Sequence, residues 1–436
     1  MLSVSTWPRR WSPLRWLSAL LIAAAAGGLT KPGIQGRSIS PDIAPPSDSI
    51  VQLQTRIDAG EVKLNYDDQH GWLESVLREL HVPIDSQGLV FSKTSFQPAR
   101  ISPRTPRAVY FSDDLYVGWV QGGSVLEIAS VDPNNGTVFY SLPQRPMDRA
   151  RFTRETSSCL ECHQSQTTGD LPGLLMRSVY PDSDGMPVLP AGTFVTTEQS
   201  PLKERWGGWY ADGKLPDLGM SNAVASDSDH PDQLTRSIGS LDRQFDVSPY
   251  LSGHSDAVAL LVLAHQTHLH NLLSRAAAET RLALRDDAAI RRALHEDGAA
   301  RSDTYEIRLN SACEPVVEGL LFSGEARLGG DVQGSTEFAR QFAALGPRDK
   351  NGRSLRDFDL HARLFKYPCS YLIYSKQFDS LPDPAKAYVY RRLWQVLTGR
   401  DDSAAFAHLT DGQRDAIFQI LLATKKDLPG YWKPNQ

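Results

Sequence analysis

Ser158-Cys159-Leu160-Glu161-Cys162-His163 is the stretch whose residue types and spacing point most directly to chemistry. Two thiols three residues apart, followed at once by an imidazole, form the Cys-x-x-Cys-His pattern of c-type haem attachment. The spacing has a physical reason. Each thiol can form a thioether to one of the two vinyl groups on the same macrocycle edge, and the next residue turns its imidazole under the iron as proximal ligand. With 4 Cys and 11 His in 436 residues, chance produces the pattern in roughly one such chain in a thousand, so it outweighs its rivals. A zinc site would want a second close pair, yet Cys313 and Cys369 stand far apart with no near histidine. A redox dithiol would sit in a βαβ unit that the surroundings do not show. A disulfide across a two-residue gap is strained. One covalent haem c held by Cys159, Cys162 and His163 is the expectation.

The sixth iron position decides what such a centre does. A methionine there favours an electron carrier, whereas an open position permits ligand binding or peroxide chemistry. The distal candidates are Met176, thirteen residues past the proximal histidine, Met220 in a Leu-Gly-Met-Ser-Asn loop, and His265 on the apolar stripe of a long helix. His265 and His268 share a helix face and His270 points away. With His254 they would suggest a second metal site, but no carboxylate or thiol completes it at helical spacing. Arg205-Trp206-Gly207-Gly208-Trp209-Tyr210 offers flat indoles for packing on a macrocycle and a guanidinium for a haem propionate; the alternative is an aromatic turn in the core. Cys313 and Cys369 suit either a disulfide or two buried thiols.

These residues need elements to hold them. Arg9, Arg10 and Arg15 precede the apolar run Trp16–Leu29 and small residues, the pattern of a secretory signal over 1–28. A flexible linker over 29–48 follows, then a β-rich region with short N-terminal helices over 49–145, a haem-attachment region over 146–230 and a helical region over 231–436. Ser255 is a fitting N-cap for a long helix, Val316–Leu321 and Thr336–Ala344 suggest further helices, and Thr410 with Gln413 makes a capping box. The fold class expected is α+β: an antiparallel β-rich N-terminal half carrying the attachment loop, then a mostly α-helical C-terminal half. A balance of 46 Lys+Arg against 51 Asp+Glu, net charge -5, lacks the basic excess of a nucleic-acid binder. The chain reads as exported and periplasmic, with an uncleaved signal as its one means of membrane anchoring. The acidic balance suits a basic redox partner protein.

From about residue 86 to 432 the chain resembles a family of large exported bacterial proteins known only for a cytochrome c-like haem segment. The resemblance rests on Leu89–Ser95, Tyr116-Val117-Gly118-Trp119, Cys159–His163, Arg205–Tyr210, His265-Gln266 with His270-Asn271, and Leu364–Cys369. It implies a single covalent haem on Cys159, Cys162 and His163 and brings no substrate. Relatives carry histidines after the Trp-Gly-Gly-Trp-Tyr run, where this chain reads Ala211 to Met220. The expected function is single-electron transfer outside the cytoplasm. The alternative is a haem enzyme or small-ligand binder, peroxidase-like or sensor, with an open sixth position.

Overall fold

Alternating apolar side chains along short β-branched and aromatic runs build a sheet that is buried on both faces. In the computed structural model, which describes residues 45–226, 230–237, 239–295 and 300–433, the strands are β1 Gly88–Val90, β2 Arg107–Phe111, β3 Leu115–Trp119, β4 Val125–Asp132, β5 Gly136–Pro143, β6 Thr153–Glu155, β7 Arg177–Val179, β8 Thr193–Val195, β9 Trp209–Tyr210, β10 Ala223–Ala225 and β11 Leu234–Arg236. Seven of them form an antiparallel sheet in the order β6-β5-β4-β3-β2-β1-β9, while β7–β8 and β10–β11 pair separately. The expected signal over 1–28 lies outside the described residues, as does the linker up to residue 44.

The helices are α1 Ser49–Asp58, α2 Leu73–Glu79, α3 Leu160–His163, α4 Ala257–Leu294, α5 Asp303–Leu320, α6 Phe338–Ala344, α7 Lys376–Asp379, α8 Asp383–Leu397 and α9 Asp411–Thr424. This is the expected α+β arrangement. One sheet face packs Leu89, Tyr110, Val117, Ile128 and Tyr140 against Leu53 and Ile57 of α1 and Leu73 and Val76 of α2. The other packs Val109, Phe111, Tyr116, Ala129 and Phe139 into a core that α4 to α9 share. Helix α4 runs 38 residues, about 57 Å at the usual rise. Its first eight residues are buried all round, so it is the spine of the molecule.

Local chemistry accounts for where the boundaries fall. Asp256, not Ser255, caps α4: its carboxylate accepts from Val258 N at 2.8 Å and Ala259 N at 2.9 Å. Ser255 is spent on the sheet, donating to Tyr210 O at 2.6 Å and accepting from Leu89 N at 2.9 Å. Val316–Leu321 is only the end of α5, because Tyr305, Leu309, Cys313, Val316 and Leu320 continue one apolar stripe backward at helical spacing. The Thr410–Gln413 capping box forms as expected. Among the described residues no helix is long and apolar enough to cross a membrane.

Candidate functional site

The edge strand delivers the Cys-x-x-Cys-His segment. After β6 pairs with β5, Ser157 O accepts from Leu160 N at 2.9 Å and Glu161 N at 3.2 Å, and His163 N donates to Cys159 O at 3.0 Å. The motif thus closes into the single turn of α3, with its two sulfurs on neighbouring positions of one face. Cys159 is half-buried against the core and Cys162 is exposed. Burial, with the Glu155 and Glu127 charges, pushes the Cys159 thiol up to about 11, so it is protonated at neutral pH.

His163 is held in one orientation by its neighbours. Its Nδ1 lies 2.9 Å from Gly173 O, and its ring packs 4.8 Å from that of Phe139. Burial, reinforced by Arg107 and Arg177, holds the imidazole below its ordinary value and so neutral. A neutral ring donating from Nδ1 to a carbonyl leaves Nε2 with the lone pair, the state an iron ligand requires.

The carbonyl that orients His163 is itself fixed. Gly173 N donates back to His163 O at 2.8 Å. Asn271 on α4 accepts from Leu174 N at 2.9 Å and donates to Leu174 O at 2.7 Å. A Cβ at residue 173 would stand 2.7 Å from Asn271 Oδ1 and 2.9 Å from Thr168 Cβ, so only glycine fits. Asn271→Ala leaves both Leu174 backbone groups unpaired and is expected to cost about 2 kcal/mol. The shift in urea unfolding midpoint measures it, and an unchanged midpoint would show that the clamp carries no weight.

Arg107 on β2 completes the surroundings. It pairs with Glu127 on β4 at 3.0 Å, and its charge acts on both Cys159 and His163. Gly118 on β3 makes room, because a Cβ there would meet the guanidinium at 2.5 Å. Arg107 Nε is buried without a hydrogen-bond partner. A donor left over near the Cys159 thiol and a lone-pair imidazole suits a carboxylate-bearing macrocycle, so the residues present fit haem.

The arginine singled out from sequence does not serve this purpose. Arg205 is buried, with Nε donating to Ser200 O at 2.7 Å and Nη2 to Glu198 O at 2.8 Å. Trp206 is fully buried and Trp209 Nε1 donates to Arg177 O at 2.8 Å. The run is the aromatic core turn rather than a macrocycle wall, because it is buried and Arg205, Trp209 and Tyr210 spend their polar atoms on backbone carbonyls, while Trp206 Nε1 is buried without a partner.

Nor does the fold aim the distal candidates at His163. Met220 is buried, its sulfur accepting from Ser178 Oγ at 3.6 Å. Met176 opens onto a cavity that none of Cys159, Cys162 and His163 lines. His265 is buried with Nε2 2.8 Å from Ser370 Oγ and Nδ1 3.6 Å from Glu198, and it stacks on Phe322 at 4.2 Å.

Glu198 is the residue sequence reasoning missed. It meets His268 Nδ1 at 2.9 Å across seventy positions of chain, which no local pattern displays. Burial opposes its ionisation, but His268 and His265 overcome this and hold the carboxyl well below the usual range. In return Glu198 raises His268 against the effect of burial. His254 instead meets Asp212 at 2.7 Å, and His270 faces Gln377 and Asp113 O, so the four histidines do not gather on one metal. Cys313 and Cys369 stand as separate buried thiols. Compared with protein-family models, curated proteins and solved structures, the chain matches none.

Proposed function

We propose that this protein is an extracytoplasmic monohaem c-type cytochrome-like protein that passes single electrons through a covalently held haem. The α3 turn carries the reading: Cys159 and Cys162 on one face, His163 neutral, and its Nδ1 fixed at 2.9 Å on Gly173 O. Each thiol would add across a vinyl group, sulfur to one carbon and its proton to the other, with no net oxidation. When bound, the haem supplies a one-electron ferric/ferrous couple. The chain's own part is to staple the group through Cys159 and Cys162, present His163 Nε2 to the metal, and pair Arg107 with a propionate. Export, which the sequence pattern over 1–28 suggests, would bring the chain to where such attachment takes place.

The charge next to the attachment segment points to a partner of opposite sign to the one that the net charge of -5 suggests. Arg145, Arg149, Arg151 and Arg154 are exposed on the segment leading into α3 and none is ion-paired with a described residue. Set against Asp148, Glu155 and Glu161 on the same stretch, the four arginines leave a slight positive excess, which suits an acidic redox partner.

A second reading, an open sixth position for small ligands, draws support from the engagement of Met220 and His265 and the separate cavity at Met176. One experiment divides the two. An electron carrier is expected to be low-spin and indifferent to carbon monoxide when reduced. A ferrous spectrum that shifts on adding carbon monoxide would replace the carrier reading with the ligand-binding one.

A further inference from the structure

Behind the turn that orients His163 lies a cavity of about 140 Å3 between that turn, the β8 end and α4. At roughly 30 Å3 per water it has room for a solute of four or five heavy atoms. Three of the side chains that line it have hydrogen-bonding capacity left over. Thr196 is 1% exposed, yet its hydroxyl has no partner. His268 turns Nδ1 to Glu198, which leaves Nε2 free of any described partner. Arg275 stands exposed at the mouth and pairs with no described residue. The one nearby carboxylate, Glu198, is already covered by His268 and His265.

A buried hydroxyl with nothing to bond costs free energy unless a ligand or water satisfies it. Here it shares a small cavity with an imidazole nitrogen and a guanidinium. We propose that this cavity is a binding site for a small oxyanion, of the nitrate, phosphate or short carboxylate kind, held by Thr196 Oγ1, His268 Nε2 and Arg275. This goes beyond electron transfer and does not depend on it, because no residue of α3 lines the cavity.

Protonated His268 strengthens the site, so binding weakens as the pH rises through the imidazole's raised value. The charged groups facing His268 are Glu198 and His265, with Arg275 at the mouth and Arg205 and Glu325 acting on Glu198 from behind. The test is calorimetric titration of the purified full-length protein with sodium nitrate, sodium phosphate and sodium acetate at constant ionic strength. Saturable one-to-one binding of at least one probe is expected at pH 6, and weaker binding at pH 9. Thr196→Val keeps the shape and removes only an unbonded hydroxyl, so the urea midpoint should hold or rise while affinity falls about tenfold, one hydrogen bond's worth. Arg275→Gln, at an exposed position, should weaken binding likewise. Absence of saturable binding for all three probes, or unchanged affinity in Thr196→Val, overturns the proposal. The titration reads the anion and not the iron, so a failure of haem attachment leaves it interpretable.

Discussion

Replacing Glu198 with glutamine is expected to cost about 3 kcal/mol of folding stability near pH 6, the scale of breaking a buried ion pair. The carboxylate is 2% exposed and serves two imidazoles from one segment of α4. Its backbone carbonyl, bonded to Arg205 and Ala326 N, stays in place in the variant, so the loss reports the side chain. The pH dependence follows from the shifts. Glu198 is held low, so its contribution is present above about pH 4.3, the ordinary carboxyl value, and disappears as the pH falls through its depressed value. His268 is raised, so its contribution is complete below about pH 6.5 and disappears as the pH rises through its raised value. The parent should therefore be most stable between those limits. The variant should lose the decline on the alkaline side, and its deficit should shrink by pH 9. Urea midpoints across that range decide the matter, and a deficit that ignores pH would mean that the contacts are not ionic.

His163→Ala carries the second large effect. Cys159 and Cys162 remain, so the pigment should stay attached, but the iron loses its protein imidazole. The ferrous absorption should change from low-spin to high-spin, with free imidazole in the buffer restoring much of the parent spectrum. The side chain also bonds Gly173 O and packs on Phe139, so about 2 kcal/mol of stability should go with it. Only the imidazole rescue separates ligation from that structural loss. A variant with the parent's spectrum would remove His163 from the coordination sphere.

Much of this was legible in the sequence where the determining forces are local. The Cys159–His163 motif and the Thr410 capping box each sit within a few residues of their cause. The site's supports were not. Glu198 reaches His268, Asn271 reaches Leu174, and Arg107 reaches Glu127 only once the sheet and α4 have packed. The Arg205–Tyr210 run shows a different limit: composition says that indoles and a guanidinium are adjacent, not whether the core or a cofactor covers them. Here the core does, and Arg205 is consumed by two carbonyls.

The most direct measurement is the mass of the denatured full-length protein purified from cells competent in haem maturation. The account predicts a chain heavier by one haem, with colour that survives acid extraction, and an uncoloured chain of unmodified mass when Cys159 and Cys162 are both serine. A parent chain at its polypeptide mass, or pigment that washes out in acid, would contradict it.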